Sequence, residues 1–265
     1  MKKALLCVSG LQYRYAPYAK KVVGYKDYID NWKTNILDVN TDYEWSTIFS
    51  FDSKAISEKE MFFGHSYDSP SWDEIYEDIF NYRGAPFHIT SLINYDPYPA
   101  VKPLNKMYSG SKPEIGPLIF FARNKFNFDC VDPSQFDKIV IIRPDATISG
   151  PCVLDDIEDV IFLEDHRGGG GWFHNKDWDM GIAGDANIIH QWVEHGYKLL
   201  SGAKVLCERN EKSMHLVSSK QDDRQLWTDS ADVVEIWENY LYSFEHIDKL
   251  RSSSDLNLSV IARVA

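Results

Sequence analysis

Apolar positions along this chain recur with two periods, and the two alternate. "ALLCVSG" (residues 4–10) predicts a first strand, and "KIVIIR" (138–143) is a short run of β-formers that is apolar on both faces. That pattern belongs to strands at the centre of a parallel sheet covered by helices. "WSTIFSFD" (45–52), "FHITSLINY" (87–95), "DVIFLED" (159–165) and "LNLSVIARV" (256–264) predict further strands. Between them the spacing turns helical. Tyr28, Ile29, Trp32 and Ile36 form one stripe, and Trp72, Ile75, Ile79 and Tyr82 form another, opened by a Ser71–Glu74 capping box. "PLIFFARNKFNF" (117–128) predicts a third helix. Ile188, Trp192 and Leu199 mark a fourth, capped by Asp185 and closed at Gly202, and Val233, Trp237, Tyr240 and Phe244 a fifth.

Strands alternating with helices predict an α/β fold with a largely parallel sheet. Ligands of such sheets bind outside the carboxyl ends of the strands. That rule selects Ser9 and Gly10, Asp52, Asp145 and the residues after Phe162. The stretch 96–116, rich in Pro, Gly and Lys, reads as a long loop of the kind that binds or covers ligands.

Composition changes this picture little. The 265 residues are 44% hydrophobic and 26% charged, as in an ordinary globular protein, and can bury a substantial core. No apolar run approaches the roughly 20 residues of a membrane span. "MKKALLCVSG" begins like a signal peptide, but its apolar run stops at Val8, so it reads as a first strand. Cys7, Cys130, Cys152 and Cys207 lie far apart without metal-ligand spacing, which suits buried thiols in a reducing compartment. A cytoplasmic protein is expected.

Charge is more informative. The net charge of −12 argues against general polyanion binding. Yet residues 1–33 carry seven basic side chains against two acidic ones, and residues 97–127, which include Arg123, carry five against one. A solvated face explains such runs; so does a phosphate-bearing ligand, if the two share a face.

Three groups of residues could carry chemistry. Ser9-Gly10 ends the first strand, where glycine lets backbone N–H groups approach a phosphate; neither the dinucleotide fingerprint nor the P-loop pattern is present. Asp145 stands at the tip of a buried strand, where its oxygens could ligate a divalent cation and Arg143 could pair with phosphates. Alternatively Asp145 caps a turn while Arg143 makes a structural ion pair. The third group surrounds Gly168–Gly171: Glu164, Asp165, His166, Arg167, His174, Asp177 and Asp179 include candidates for a general base, and Trp172, Phe173 and Trp178 offer faces for a sugar ring. Four glycines in a row carry a high ordering cost, which a lid justifies and an acidic surface loop also accommodates. His215 stands alone and is a possible metal ligand.

Together "KKALLCVSGLQYRY", "FDKIVIIRPDATI" and "DVIFLEDHRGGGGWFHNKDWDMGIAGDANIIHQWV" resemble GT-A-like glycosyltransferases of viruses, phages and bacteria. Those have a Ser-Gly first-strand loop followed by an arginine, a strand ending in Arg-Pro-Asp, and an Asp before a glycine-led strand. The resemblance implies a Rossmann-type sheet in a single domain, with a nucleotide-binding part about 1–150 and an acceptor or sugar part about 151–265. It implies a nucleotide-sugar donor, a UDP-sugar first among them, and Mg2+ or Mn2+. Ser9, Gly10 and Arg14 would lie near the nucleotide, with Asp52, Arg123, Arg143, Asp145, His166 and Arg167 completing the donor site. Asp145, with His215, would hold the metal, and Asp179 or Asp177 would serve the sugar or acceptor. The acceptor would be a glycan or a modified base in phage DNA, in the host cytoplasm if the source is viral. A non-catalytic nucleotide- or glycan-binding module of the same fold is the competing expectation.

Overall fold

The first strand and the run apolar on both faces lie side by side in parallel, Leu5 beside Ile139, Cys7 beside Ile141 and Val8 beside Ile142. The computed structural model describes residues 1–10, 13–16, 21–52, 60–62, 65–67, 73–74, 77, 89–95, 116–163, 181–209, 243–252, 256 and 260–262. Among them seven strands form one sheet: β1 (Lys2–Gly10), β2 (Tyr43–Asp52), β3 (Ile89–Tyr95), β4 (Lys138–Ile142), β5 (Val160–Phe162), β6 (Gly181–Asp185) and β7 (Leu250–Ser252). Their order is β3-β2-β1-β4-β6-β5-β7. Every neighbouring pair is parallel except those of β6, which runs antiparallel to β4 and β5. The fold is α/β with a mostly parallel sheet.

The order matters for function. The chain builds outward from β1 to β2 to β3, then returns to the other side of β1 to place β4. Connections therefore diverge between β1 and β4, and such a reversal opens a crevice outside the carboxyl ends of the two strands.

Alternation along β1, β2 and β4 sends Ala4, Leu6, Val8, Phe49, Phe51, Val140 and Ile142 to one face of the sheet. Helix α1 (Tyr25–Trp32) and the π turn that continues it (Lys33–Leu37) cover that face with Tyr25, Tyr28, Ile29, Trp32 and Ile36. Burying each such side chain contributes about 1.5–3 kcal/mol. The same elements hold the chain that follows β4. Trp32 Nε1 donates to the carbonyl of Ala146 at 2.7 Å, and Asn31 both donates to and accepts from the backbone of Ile148 at 3.0 and 2.8 Å.

Helix α2 (Gly116–Cys130) matches the predicted 117–128 closely. Helix α3 (Ala186–Arg209) runs past its expected stop at Gly202, because a glycine inside a helix costs only about 1 kcal/mol and the flanking turns propagate through it. The last predicted strand is present as Val260–Ala262, but it pairs with Ala146–Ile148 in a separate two-stranded ribbon. Short antiparallel pairs at Tyr13–Ala16 with Lys21–Gly24, and at Glu60–Phe62 with His65–Tyr67, are not signalled by the pattern. Of the helix expected over 71–82, residues 73, 74 and 77 are described and are helical. Of the one expected over 230–247, the described tail from 243 forms turns and a 3-10 turn at Ile247–Lys249. The loop 96–116, save for Gly116, and the glycine run lie outside the described residues.

The chain divides into two compact units. Residues Met1–Asp96, Val131–Ile189 and Lys249–Ala265 hold the sheet and α1; residues Pro97–Cys130 and His190–Asp248 hold α2 and most of α3. In the second unit Trp192 meets Phe121 and Phe244 edge-on, with ring centroids 5.5 and 5.2 Å apart. No helix among the described residues is long and apolar enough to cross a membrane.

Candidate functional site

Four of the features selected by the carboxyl-end rule come to one edge of the sheet. Ser9 and Gly10 end β1, Asp52 ends β2, Arg143 to Asp145 follow β4, and Leu163 follows β5. Because β6 runs the other way, its first residue, Gly181, belongs to the same edge, and its carbonyl accepts from Leu163 N–H at 3.0 Å. The segment 164–180 is thus bounded at both ends by residues of this edge.

The centre of the edge is the reversal between β1 and β4. Gly10 has φ of +150°, a conformation that side chains other than glycine rarely adopt. It is also in contact with the turn after β4: a Cβ at this position would lie 2.9 Å from Cδ of Pro144. Glycine is therefore demanded twice, by its backbone angle and by the proline ring. Ser9 is buried beside Ser50 of β2, its register partner.

Arg143 and Asp145 form a two-pronged ion pair across Pro144. Arg143 Nε donates to Oδ1 at 2.8 Å and Nη2 donates to Oδ2 at 2.7 Å. The side chains are 13% and 1% exposed. A turn closed by Ala146 N–H on the Arg143 carbonyl, 3.2 Å, brings the two together, and the anchoring of Ala146 and Ile148 to α1 holds that turn. Tyr28 of α1 is close enough to feel the carboxylate: burial first, then Asp27 and Asp145, pushes its hydroxyl up to about 12. Tyr28 therefore remains a protonated donor at neutral pH.

Asp145 is expected from the sequence to face a divalent cation; the carboxylate is buried against Arg143. Both oxygens of Asp145 accept from Arg143; the alternative expected an ion pair of Arg143 but a turn-capping Asp145. A Mg2+ or Mn2+ ion would need carboxylate oxygens with room for several waters. Asp145 offers no such room, and no group of three or more His, Cys, Asp or Glu side chains among the described residues is placed to hold a metal ion.

The other expected residues are distributed as follows. Arg14 lies in the strand Tyr13–Ala16, opposite Val23, and Asp52 lies opposite Tyr95. Arg123 is buried in α2, within the second unit. His166, Arg167, Asp177, Asp179 and His215 lie outside the described residues. Sequence reading misses Tyr28, which it places only in the core, and the asparagines Asn31 and Asn35 that grip Ile148. Their spacing of four, polar residues on an otherwise apolar helix face, is the available signal. Among the cysteines, burial raises the thiol of Cys7 and lifts that of Cys152 to about 12, so neither is a nucleophile at neutral pH.

On the opposite edge a cleft of about 430 Å3 is lined by Lys2, Tyr43, Lys138, Asp155 and Asp185, among others. Its charges are satisfied locally. Lys2 Nζ donates to both oxygens of Asp155 at 2.7 Å, and the Tyr43 hydroxyl donates to Asp155 at 2.7 Å. These bonds, Lys2 first, hold the Asp155 carboxyl below its ordinary value. A depressed folded-state value means stabilisation that is complete above the ordinary pKa near about 4 and lost as pH falls through the lower folded value. Asp155→Asn is therefore expected to flatten the dependence of the urea midpoint on pH below about 4, with the wild type losing more stability there than the variant.

The sequence matches no protein-family model and no curated protein. Among solved structures it is similar to the mannosyltransferase Ktr4p from S. cerevisiae, with a TM-score of 0.40 and 10% identity, over 78% of this chain and 62% of that one.

Proposed function

We propose that this protein binds a nucleotide-sugar, with a UDP-sugar as the first candidate, outside the reversal between β1 and β4 and transfers the sugar to an acceptor hydroxyl. The observation that carries the reading is the meeting of Gly10, at φ +150°, with the Arg143-Pro144-Asp145 turn at that reversal. A glycine-ended strand permits close approach of backbone donors to a diphosphate, and Arg143, held by Asp145, adds a cation beside it. The candidates for sugar contact and base are close in sequence to that edge: His166 and Arg167 follow Leu163 by three and four residues, and Asp179 precedes Gly181 by two. In that role Asp179, or Asp177, accepts the proton of the acceptor hydroxyl as it attacks the anomeric carbon.

A glycan acceptor suits the charge distribution better than DNA. Among the described cations of the two basic runs, Lys2 pairs with Asp155 and Asp42, Lys33 with Asp38, and Lys125 with Glu194. Phosphate-backbone tracking needs those cations. No salt-dependent gel shift with duplex DNA is expected.

Titration calorimetry with a panel of nucleoside diphosphates and their sugars tests the reading directly. Saturable binding of at least one, accompanied by slow donor hydrolysis, is expected; no heat with any member would overturn it. Binding without hydrolysis or transfer to any acceptor would favour the non-catalytic module, a reading the enclosed Asp145 also suits.

A further inference from the structure

We propose that Lys138 is a reactive amine that forms an imine with a small uncharged aldehyde held in the cleft on the amino edge of the sheet. The site is independent of the nucleotide-sugar reading, which concerns the other edge.

Three observations place the amine. Lys138 is the first residue of β4, so it stands at the amino edge, beside Ala4 of β1 and Asp185 of β6. Its half-buried side chain lines the cleft of about 430 Å3, with Tyr43 and Phe136 among the walls. Its Nζ donates to the carbonyl of Ile157 at 2.6 Å, a neutral partner. Lys2 and Lys125 instead donate to the carboxylates of Asp155 and Asp129.

That difference decides which lysine can act as a nucleophile. Burial lowers the Lys138 amine below the ordinary lysine value. It outweighs Asp185, Asp155 and Asp159, which favour the ammonium, while Lys2 acts in the same direction as burial. Lys2 and Lys125 are held above the ordinary value, chiefly by their bonds to Asp155 and Asp129. Only the neutral amine attacks a carbonyl, and desolvated lysines are the ones that form Schiff bases. In the step proposed, the Nζ lone pair adds to the aldehyde carbon. The carbonyl oxygen takes up two protons and leaves as water, and a C=N bond replaces the C=O. No oxidant or reductant takes part.

Charge in the cleft selects the aldehyde. Asp137, Asp155 and Asp185 line it together with Lys2 and Lys138. Once Lys138 is neutral, three carboxylates face one ammonium, so a carbonyl compound bearing phosphate or carboxylate is repelled. The rings of Tyr43 and Phe136 suit a flat apolar body.

The experiment treats the full chain with limiting benzaldehyde, traps the imine with cyanoborohydride and measures each modified lysine by peptide mass spectrometry. At neutral pH Lys138 is expected to be labelled about tenfold faster than the exposed Lys3 and Lys198. Lys2 and Lys125 should be slower still. The lead should shrink as pH approaches about 10, where every lysine loses its proton. Pyridoxal phosphate in place of benzaldehyde should show no preference for Lys138. Lys138→Arg should remove the fast site and leave the slower ones unchanged; the wild-type rates decide alone if that variant does not fold. Labelling of Lys138 no faster than that of Lys3 overturns the proposal. A lead as large with pyridoxal phosphate as with benzaldehyde also overturns it, because the cleft would then not select an uncharged ligand.

Discussion

Replacing Gly184 by alanine is expected to lower folding stability by about 3–5 kcal/mol. Gly184 sits in β6 between β4 and β5, with Ile139 on one side and Val160 on the other. Its φ is +141°, outside the regions that L side chains occupy readily. A Cβ there would lie 2.2 Å from the carbonyl oxygen of Asp159 and 2.8 Å from Cα of Val160, both backbone atoms that no rotamer change can move aside. The Asp159 carbonyl is already engaged, accepting from the N–H of Asp185 at 2.7 Å. Displacing it disturbs Asp185, whose Oδ1 caps the start of α3 by accepting from Ile188 N–H at 3.0 Å. One methyl group thus strains a strand, a strand junction and a helix start together. Urea denaturation checks this. A large fall in midpoint at unchanged slope is expected for Gly184→Ala, while Asn187→Ala, exposed and three residues on, should stay within about 0.5 kcal/mol of the wild type. A Gly184→Ala protein of wild-type stability would show that β6 is not seated between β4 and β5 as described.

The second large effect separates two meanings of the same residue. If Asp145 serves to hold Arg143, Asp145→Ala leaves a guanidinium at 13% exposure without its two-pronged partner, and should cost about 3–5 kcal/mol. An open metal-binding carboxylate would behave in the opposite sense, since its removal from a surface cleft changes stability by about 0.5 kcal/mol or less. The double replacement Arg143→Met with Asp145→Leu should recover most of the loss, because desolvating two charges offsets much of what their attraction contributes. A double-mutant cycle built from thermal or urea unfolding gives the coupling, expected at about 1–3 kcal/mol. Coupling near zero would mean that the pair is not a unit. The stable double variant is then the right background in which to ask whether nucleotide binding has been lost with the arginine.

Much of the fold is legible because periodicity is a local property. Apolar residues on both faces of 138–143 mark a central strand, the run 4–10 marks a first strand, and the stripe of Tyr28, Ile29, Trp32 and Ile36 marks a helix. The carboxyl-end rule then brings Ser9, Gly10, Asp52 and Arg143 to Asp145 to one edge from chain order alone. Where the reading misses, the cause is non-local. Periodicity does not advertise "GIAGD", with its few side chains, as a strand; the family resemblance alone implies one there, and it pairs antiparallel with both β4 and β5. Gly202 reads as a helix end when local propensity is all that can be weighed, and α3 continues through it.

The state of Asp145 shows the division most sharply. Sequence alone determined that a strand apolar on both faces ends in Arg-Pro-Asp, that the first strand ends in Ser-Gly, and that both ends belong to the carboxyl edge; the structure made the two strands neighbours. Only the tertiary structure decided that the carboxylate turns inward to its own arginine. The strand pattern records which positions leave water, a sum over neighbours of any kind. The partner of a buried charge depends on which single group lies within hydrogen-bonding reach of it. Here that was settled by a turn, by a proline ring packed on Gly10, and by a helix whose Trp32 grips a peptide 114 residues further along the chain.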